Sequence, residues 1–281
     1  MSPSPPTQPE MTPQLSLVMP CYNEEEIVAY TINRLLSAFE RAGYDLQLVA
    51  VDNGSSDRTG EILRDFAAKS RSVVHLTVPV NQGYGFGVLS GIPHCTAPWI
   101  GFIPADGQVD AEDVVHLYEA VAASTGPVLA KVRRRFRMDG LARKVVSTGY
   151  NLFMLMLWPR LGSLDVNGVP KILPRDVLLD MELRSRNWLL DPEIMVKASH
   201  LGVRVLEFNV FARMRGGGLS HVRASTCWEF LTNLFRMRFS GELERWASQL
   251  SAAKRARNGT NPSTVASVES PAGALADRGA R

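Results

Sequence analysis

Four times within its first 110 residues the chain breaks off a short apolar run at a polar, turn-forming loop, and that recurrence limits the folds open to it. Leu15 to Met19 stops at Pro20 and meets Tyr22-Asn23-Glu24. Leu46 to Val51 runs into Asp52-Asn53-Gly54-Ser55-Ser56-Asp57. Val73 to Val78 leads to Asn81-Gln82-Gly83-Tyr84-Gly85-Phe86-Gly87. Trp99 to Ile103 stops at Pro104, and Asp106-Gly107-Gln108 follows. Apolar runs of this length with β-branched and aromatic residues read as buried strands, and proline ends a ladder because it cannot donate to it. Helical patterns fill the gaps. Glu24 to Arg41 carries Ile27, Ile32, Leu35, Leu36 and Phe39 on one face and ends at Gly43. Further helices run from about Arg58 to Lys69 and from the glycine loop to about Cys95. Strand and helix in alternation imply an α/β fold with a mostly parallel sheet and right-handed crossovers. In such a sheet all four loops can face one crevice beyond the carboxyl ends of the strands.

The rest of the chain continues the pattern. A helix from about Ala111 to Ala123 precedes a strand from Val128 to Val132. Leu141 to Leu157 reads as a helix, and Asp165 to Leu173 as an irregular strand segment carrying Asn167-Gly168. Helices from about Arg175 to Met181 and from Leu190 to His200 precede a last strand, Val203 to Val210. Trp228, Leu231, Phe235, Phe239, Leu243 and Trp246 then recur at helical spacing. The expected organisation is a tail over residues 1–14 with five prolines, one domain over 15–223, an amphipathic helix over 224–250 and a polar tail over 251–281. Hydrophobic content of 45% and charged content of 21% are those of a globular protein. A net charge of +3 is too small to argue for nucleic acid. Cys21, Cys95 and Cys227 have no metal spacing and read as reduced thiols of a cytoplasmic protein. No signal-peptide pattern opens the chain. The longest apolar run, Leu152 to Trp158, is far short of the ~18 residues a spanning helix needs.

Several groups carry chemistry. The Asp106 carboxylate and the Gln108 amide oxygen, two residues apart, can share a hard cation such as Mg²⁺ or Mn²⁺, although Asp-Gly is also plain turn chemistry. Asp52 to Asp57 could be a capped turn, with Asp57 before the next helix. The Gly83, Gly85, Gly87 series resembles a dinucleotide fingerprint but follows the third strand. Lys131, Arg133, Arg134, Arg135, Arg137, Arg143 and Lys144 crowd one interval. They could form a solvated face or a site for an anionic phosphate and lipid headgroups. Stacking aromatics are too few there for a nucleic-acid patch. Asp191-Pro192-Glu193 puts an acid, a proline and an acid at a helix start, which is ordinary capping as much as chemistry.

Taken in order, Val18-Met19-Pro20-Cys21-Tyr22-Asn23-Glu24, Val51-Asp52-Asn53-Gly54-Ser55-Ser56-Asp57, Asn81-Gln82-Gly83-Tyr84-Gly85 and Ala105-Asp106-Gly107-Gln108 resemble the family 2 glycosyltransferases of GT-A fold. Asp165-Val166-Asn167-Gly168-Val169-Pro170-Lys171, Asp191-Pro192-Glu193 and Arg215 to His221 resemble the dolichol-phosphate mannose synthase branch and related polyprenyl-phosphate sugar transferases. The resemblance implies a hexosyltransferase, dolichyl-phosphate mannosyltransferase-like. It would move a sugar from a GDP- or UDP-linked donor to a polyprenyl phosphate with inversion. Pro20, Tyr22, Glu24, Asp52, Gly83 and Gly85 would bind the nucleotide. Asp106 and Gln108 would hold Mg²⁺ or Mn²⁺, with Asp106, Asp191 and Glu193 as the catalytic set. Arg133, Arg215, Ser220 and His221 would meet the acceptor phosphate. Pro104 stands where the family usually has its first metal aspartate, and Asn53 where a second aspartate commonly follows Asp52. Pro104 keeps open a catalytically silent nucleotide-binding partner of a membrane enzyme; a nucleotidyltransferase on a similar sheet is the other alternative. The expected location is the cytoplasmic, inner face of a membrane, held peripherally, with an integral membrane partner possible and no nucleic acid.

Overall fold

In the computed structural model the described residues are 12–136, 141–211 and 224–259. They divide into two compact units, residues 1–240 and 241–281, taken separately below. The first unit is built on a seven-stranded sheet: β1 (Leu15–Cys21), β2 (Leu46–Asn53), β3 (Val73–Val78), β4 (Trp99–Phe102), β5 (Val128–Phe136), β6 (Lys171–Pro174) and β7 (Arg204–Phe211). Their order across the sheet is β3-β2-β1-β4-β6-β5-β7. β1, β2, β3 and β4 run parallel, as the alternating pattern predicts. β6 alone reverses, antiparallel to both β4 and β5, while β7 is parallel to β5.

The helices are α1 (Val28–Ala42), α2 (Thr59–Lys69), α3 (Tyr84–Gly91), α4 (Ala111–Ala122), α5 (Leu141–Leu157), α6 (Arg175–Asp180), α7 (Leu190–His200), α8 (Ala224–Phe239) and α9 (Glu242–Gly259). α1 buries Val28, Ile32, Leu35 and Phe39, an i, i+4, i+7, i+11 face, against the sheet. Gly43 ends it in the left-handed conformation at φ 75°, where its N–H and that of Tyr44 return to carbonyls of the last turn. Every residue of β2 is buried, as expected of a strand covered on both faces. α3 lies close on β1 and β2 because Gly91 has no side chain. A Cβ there would collide with Val18 Cγ1 and stand 3.3 Å from Val51 Cγ2.

Three expectations need correction. Helix α1 begins at Val28, not at Glu24. The N–H groups of Asn23, Glu24 and Glu25 are spent on the side chains of Ser55, Thr59 and Asp57, in the loop after β2 and the start of α2, so the segment forms turns instead. Asp165 to Leu173 is not one irregular strand: a turn with Gly168 N–H bonded to Asp165 O precedes β6, which starts only at Lys171. The amphipathic helix expected over 224–250 is two helices, α8 and α9, parted at Ser240 and Gly241, the glycine at φ 71°. α9, in the second unit, continues helically to Gly259, into the stretch expected to be a tail.

Candidate active site at the carboxyl edge of the sheet

The strand order reverses between β1 and β4. β1 connects outward to β2 and β3, and the chain then crosses back to β4 on the other side. Loops leaving two such neighbours diverge and open a crevice, the usual ligand position in open α/β sheets. One wall is the loop after β1, with Tyr22 to Glu24; the other is the turn after β4, with Asp106 to Gln108.

The loops after β1 and β2 are laced together. Asn23 N–H donates to Ser55 Oγ at 3.2 Å, and Ser56 N–H donates back to Asn23 Oδ1 at 2.8 Å. Glu24 N–H donates to Thr59 Oγ1 at 2.9 Å and Glu25 N–H to Asp57 Oδ2 at 3.1 Å. Asn23 itself sits at φ 54°, a conformation asparagine tolerates better than most residues. Partial burial would raise the Asp57 carboxyl, but bonds from the Thr59 hydroxyl and from the N–H groups of Thr59 and Glu25 outweigh it and hold it below the ordinary range. Asp52, buried at the end of β2, accepts Ser55 N–H at 2.9 Å on one oxygen. Its other oxygen lies against the Cα of Gly60, where a side chain would collide with it. Burial first, and then the nearby Glu24 and Asp52 carboxylates, push the Cys21 thiol well up, so Cys21 is an inert core residue. Tyr22 is exposed and Glu24 half-buried at this edge.

Beyond β4, Asp106 forms a local turn: its Oδ1 accepts Gln108 N–H at 3.2 Å, and Gly107 takes φ 64°. Thr31 of α1 holds the turn from behind, donating to Ala105 O at 2.9 Å. Pro104, Asp106, Asp110, Tyr30 and Arg34 line a small cleft between this turn and α1. Among the described residues no three acidic, histidine or cysteine groups converge as a ready metal cage. The donor pair expected from the sequence, Asp106 and Gln108, offers one carboxylate and one amide oxygen. It fits a hard cation that keeps waters and takes phosphate oxygens for the rest of its shell, and it does not fit a closed protein site.

The glycine loop has a packing role that its spacing does not show. Residues 185–187 lie directly on it. A Cβ at Gly83 would stand 2.7 Å from Arg186 O, and one at Gly85 2.7 Å from Asn187 O. Phe86 N–H donates to Arg186 O at 2.8 Å, and the Arg186 guanidinium sits 5.3 Å over the Phe86 ring. The loop's own polar groups are engaged as well, Gly83 N–H with Asn81 and Gly83 O with Asn53 Nδ2. Gly83 and Gly85 thus admit a second chain segment.

Asp191 and Glu193 are held by internal partners. Glu193 accepts the backbone N–H groups of Arg184 and Ser185 and pairs with Lys197 Nζ at 2.6 Å. Asp191 pairs with Lys171 Nζ, both groups being buried. Because β6 is antiparallel, its first residue, Lys171, lies beside Phe102 at the end of β4, which puts this pair at the carboxyl edge. Lys131 on β5 is also fully buried, bonded to Ser163 Oγ at 3.3 Å, Glu207 Oε1 at 3.1 Å and Asp165 O. Burial foremost, and then the Lys171 charge, bring Lys131 down to about 8. Burial would raise Glu207, but Lys131 and bonds from Ser163 and Leu164 hold it low. Tyr150 OH donates to Asn167 Oδ1 at 3.2 Å; burial first, then Asp191 and Asp165, push its hydroxyl far up. Lys131 therefore belongs to a buried network and not to a solvated basic face. Arg133, two residues on, is half-buried, while Arg215, Ser220 and His221 lie outside the described residues. Glu207, Tyr84 and Trp188 received no site role from the sequence, and Lys131 only one as part of the basic interval. The available signal was Lys131 itself, a lysine inside the apolar run Val128 to Val132.

A switch point between β1 and β4 with four polar loops at one edge defines a GT-A-type fold. The fold is shared with a glucosyl-3-phosphoglycerate synthase of Mycobacterium tuberculosis, crystallised with Mn²⁺, UDP and glucosyl-3-phosphoglycerate. The TM-score is 0.60 at 18% identity, over 89% of this chain and 82% of that one. Residues 16–180 match the model of glycosyl transferase family 2, and the chain belongs to that family. It is 31% identical over 215 residues to an uncharacterized glycosyltransferase of M. tuberculosis, covering 75% of this chain and 90% of that protein. It is 27% identical over 209 residues to a dolichyl-phosphate beta-glucosyltransferase of Trichomonas vaginalis, covering 70% of this chain and 64% of that protein's length.

Proposed function

We propose that the chain transfers a hexose from a nucleoside-diphosphate sugar to a polyprenyl phosphate, with inversion at the anomeric carbon. The observation that carries this reading is the occupied state of the two carboxylates in Asp191-Pro192-Glu193. Each is tied to a lysine, and Glu193 to two backbone N–H groups besides, so neither is disposed to act as a general base. A hydroxyl acceptor needs such a base, whereas an acceptor phosphate is already ionised at neutral pH. Asp191 and Glu193 are then positioning residues. Tyr22, Glu24 and Asp52 line the nucleotide side, and Asp106 with Gln108 the diphosphate side. A divalent cation bound there would neutralise the departing diphosphate. The chain's own contribution is to orient the two phosphates in line and keep the sugar between them. The Trichomonas relative's name adds support for a polyprenyl acceptor and makes glucose the first sugar to try, with mannose second.

A lipid acceptor requires contact with a bilayer surface, and among the described residues no helix is long and apolar enough to cross one. Leu152 and Met156 of α5 and Phe235 and Phe239 of α8 are exposed, Met156 by 73% and Phe239 by 70%. The two helices meet through an edge contact of Phe153 with Phe235 at 5.3 Å, and Arg238 lies over Phe239. Apolar residues beside arginines at such a face suit peripheral attachment to an anionic surface, which we assign to the inner leaflet.

The test is turnover of UDP-glucose, GDP-mannose and related donors with a short-chain polyprenyl phosphate. Release of nucleoside diphosphate with formation of a lipid-linked sugar is expected. Nucleotide binding without turnover would instead make the chain a silent partner, and pyrophosphate release would make it a nucleotidyltransferase.

A further inference from the structure

Residues 184–188 form a strap that runs from the glycine loop to the start of α7, and every part of it is fastened. Its first two N–H groups go to Glu193. Its middle is bonded through Arg186 O to Phe86 N–H and rests on Gly83 and Gly85. Arg186 reaches Gln82 at 3.4 Å and covers the Phe86 ring. Lys197 Nζ ties the preceding residue pair by donating to Glu182 O at 3.1 Å. On this fastened strap stands Trp188, stacked on Tyr84 with ring centroids 5.2 Å apart and planes 10° from parallel. One indole face is thereby fixed, yet the residue remains 59% exposed. A large aromatic held rigidly with an open surface is unusual for a ring that packing alone would bury. Its place is equally specific. Tyr84 follows the loop after β3, and Asp191, three residues beyond Trp188, meets Lys171 beside the end of β4. Trp188 therefore stands at the carboxyl edge of the sheet, between the glycine loop and the Asp191–Lys171 pair.

We propose that Trp188 is the platform on which the pyranose ring of the donor stacks, and that Glu193 positions it by fastening the strap. The C–H face of a pyranose carries partial positive charge and matches the electron-rich face of an indole. A platform on a pinned strap orders the sugar without the cost of ordering the protein at binding. This inference rests on the transferase reading above and adds the residue that distinguishes donor from bare nucleotide.

The experiment is calorimetric titration of the full chain, with Mn²⁺ present, against the matched pairs UDP and UDP-glucose, and GDP and GDP-mannose. Trp188→Ala is expected to weaken binding of the nucleotide-sugar roughly tenfold and to change the nucleoside diphosphate by less than about twofold. Trp188→Phe keeps a stacking face and should recover most of the loss, which also guards against a folding artefact. Glu193→Gln should raise KM for the donor with kcat nearly preserved. Equal weakening of nucleotide and nucleotide-sugar by Trp188→Ala, or no change in either, overturns the platform. Loss of thermal stability in Glu193→Gln with donor KM unchanged overturns the positioning role. Failure of the unaltered chain to bind any of the four ligands overturns the transferase reading itself, and is distinct from both.

Discussion

At the scale of single residues the site is decided by which polar atoms are already engaged. Asp106 sits on a half-buried turn and contributes little to the core, so Asp106→Ala should abolish cation-dependent nucleotide binding with the melting temperature nearly unchanged. Titration of UDP with and without Mn²⁺ checks this, and unaltered affinity would remove Asp106 from the metal site. Asp52 holds Ser55 N–H, and in the proposed function it would also offer an acceptor at the base side. Asp52→Ala should lower nucleotide affinity by roughly 1–3 kcal/mol and also cost some stability. Lys131 offers a pH signature. Its folded pKa of about 8 lies below the ordinary 10.5. Below about 8 both folded and unfolded chains hold the proton, and the burial penalty is present in full. Between those values the unfolded chain binds more protons, so this residue's contribution to stability rises with pH by up to a few kcal/mol. Urea unfolding of the unaltered chain and of Lys131→Met across that window should give a difference that climbs with pH; a flat difference would refute it.

At the scale of elements, α5 and α8 carry a prediction of their own. Phe235→Ser with Phe239→Ser should remove the salt-resistant part of binding to anionic vesicles, and Arg236→Glu with Arg238→Glu the salt-sensitive part. Co-sedimentation across a salt series reads both, and binding equal on neutral and anionic vesicles would dismiss the arginines. The elements also mark what a sequence can convey. β1 to β4 and their loops were legible because each strand is a local apolar run ended by a proline or a turn residue. The reversed direction of β6 was not, since four residues carry no sign of which neighbour they pair with. The packing role of the glycines was not legible, because the segment that lies on them is a hundred residues away. Asp191 and Glu193 were visible as acids at a helix start, but their partners come from β6 and from the strap. The spacing of Trp228 to Trp246 showed helicity and concealed the break at Gly241, which is a matter of backbone conformation at one residue.

At the scale of the first unit, the sheet divides its labour about β6. In the proposed function β1 to β4 would present the nucleotide side, while β5 and β7, linked to β4 within the sheet through the four residues of β6, carry the buried Lys131–Glu207 pair. Hydrogen exchange with UDP and Mn²⁺ bound should slow the amides of the loops at 22–25 and 52–57 and of the strap, and leave β7 unchanged. The strap links the two parts by lying on two positions that hold no side chain. Two stretches of sequence a hundred residues apart are therefore not free to drift independently. A descendant that acquires a side chain at position 85 must also lengthen or lift its residues 185–187, and one that shortens the strap loses the reason to keep glycine. Across the family the two stretches should change in step, as a lock and its key are recut together.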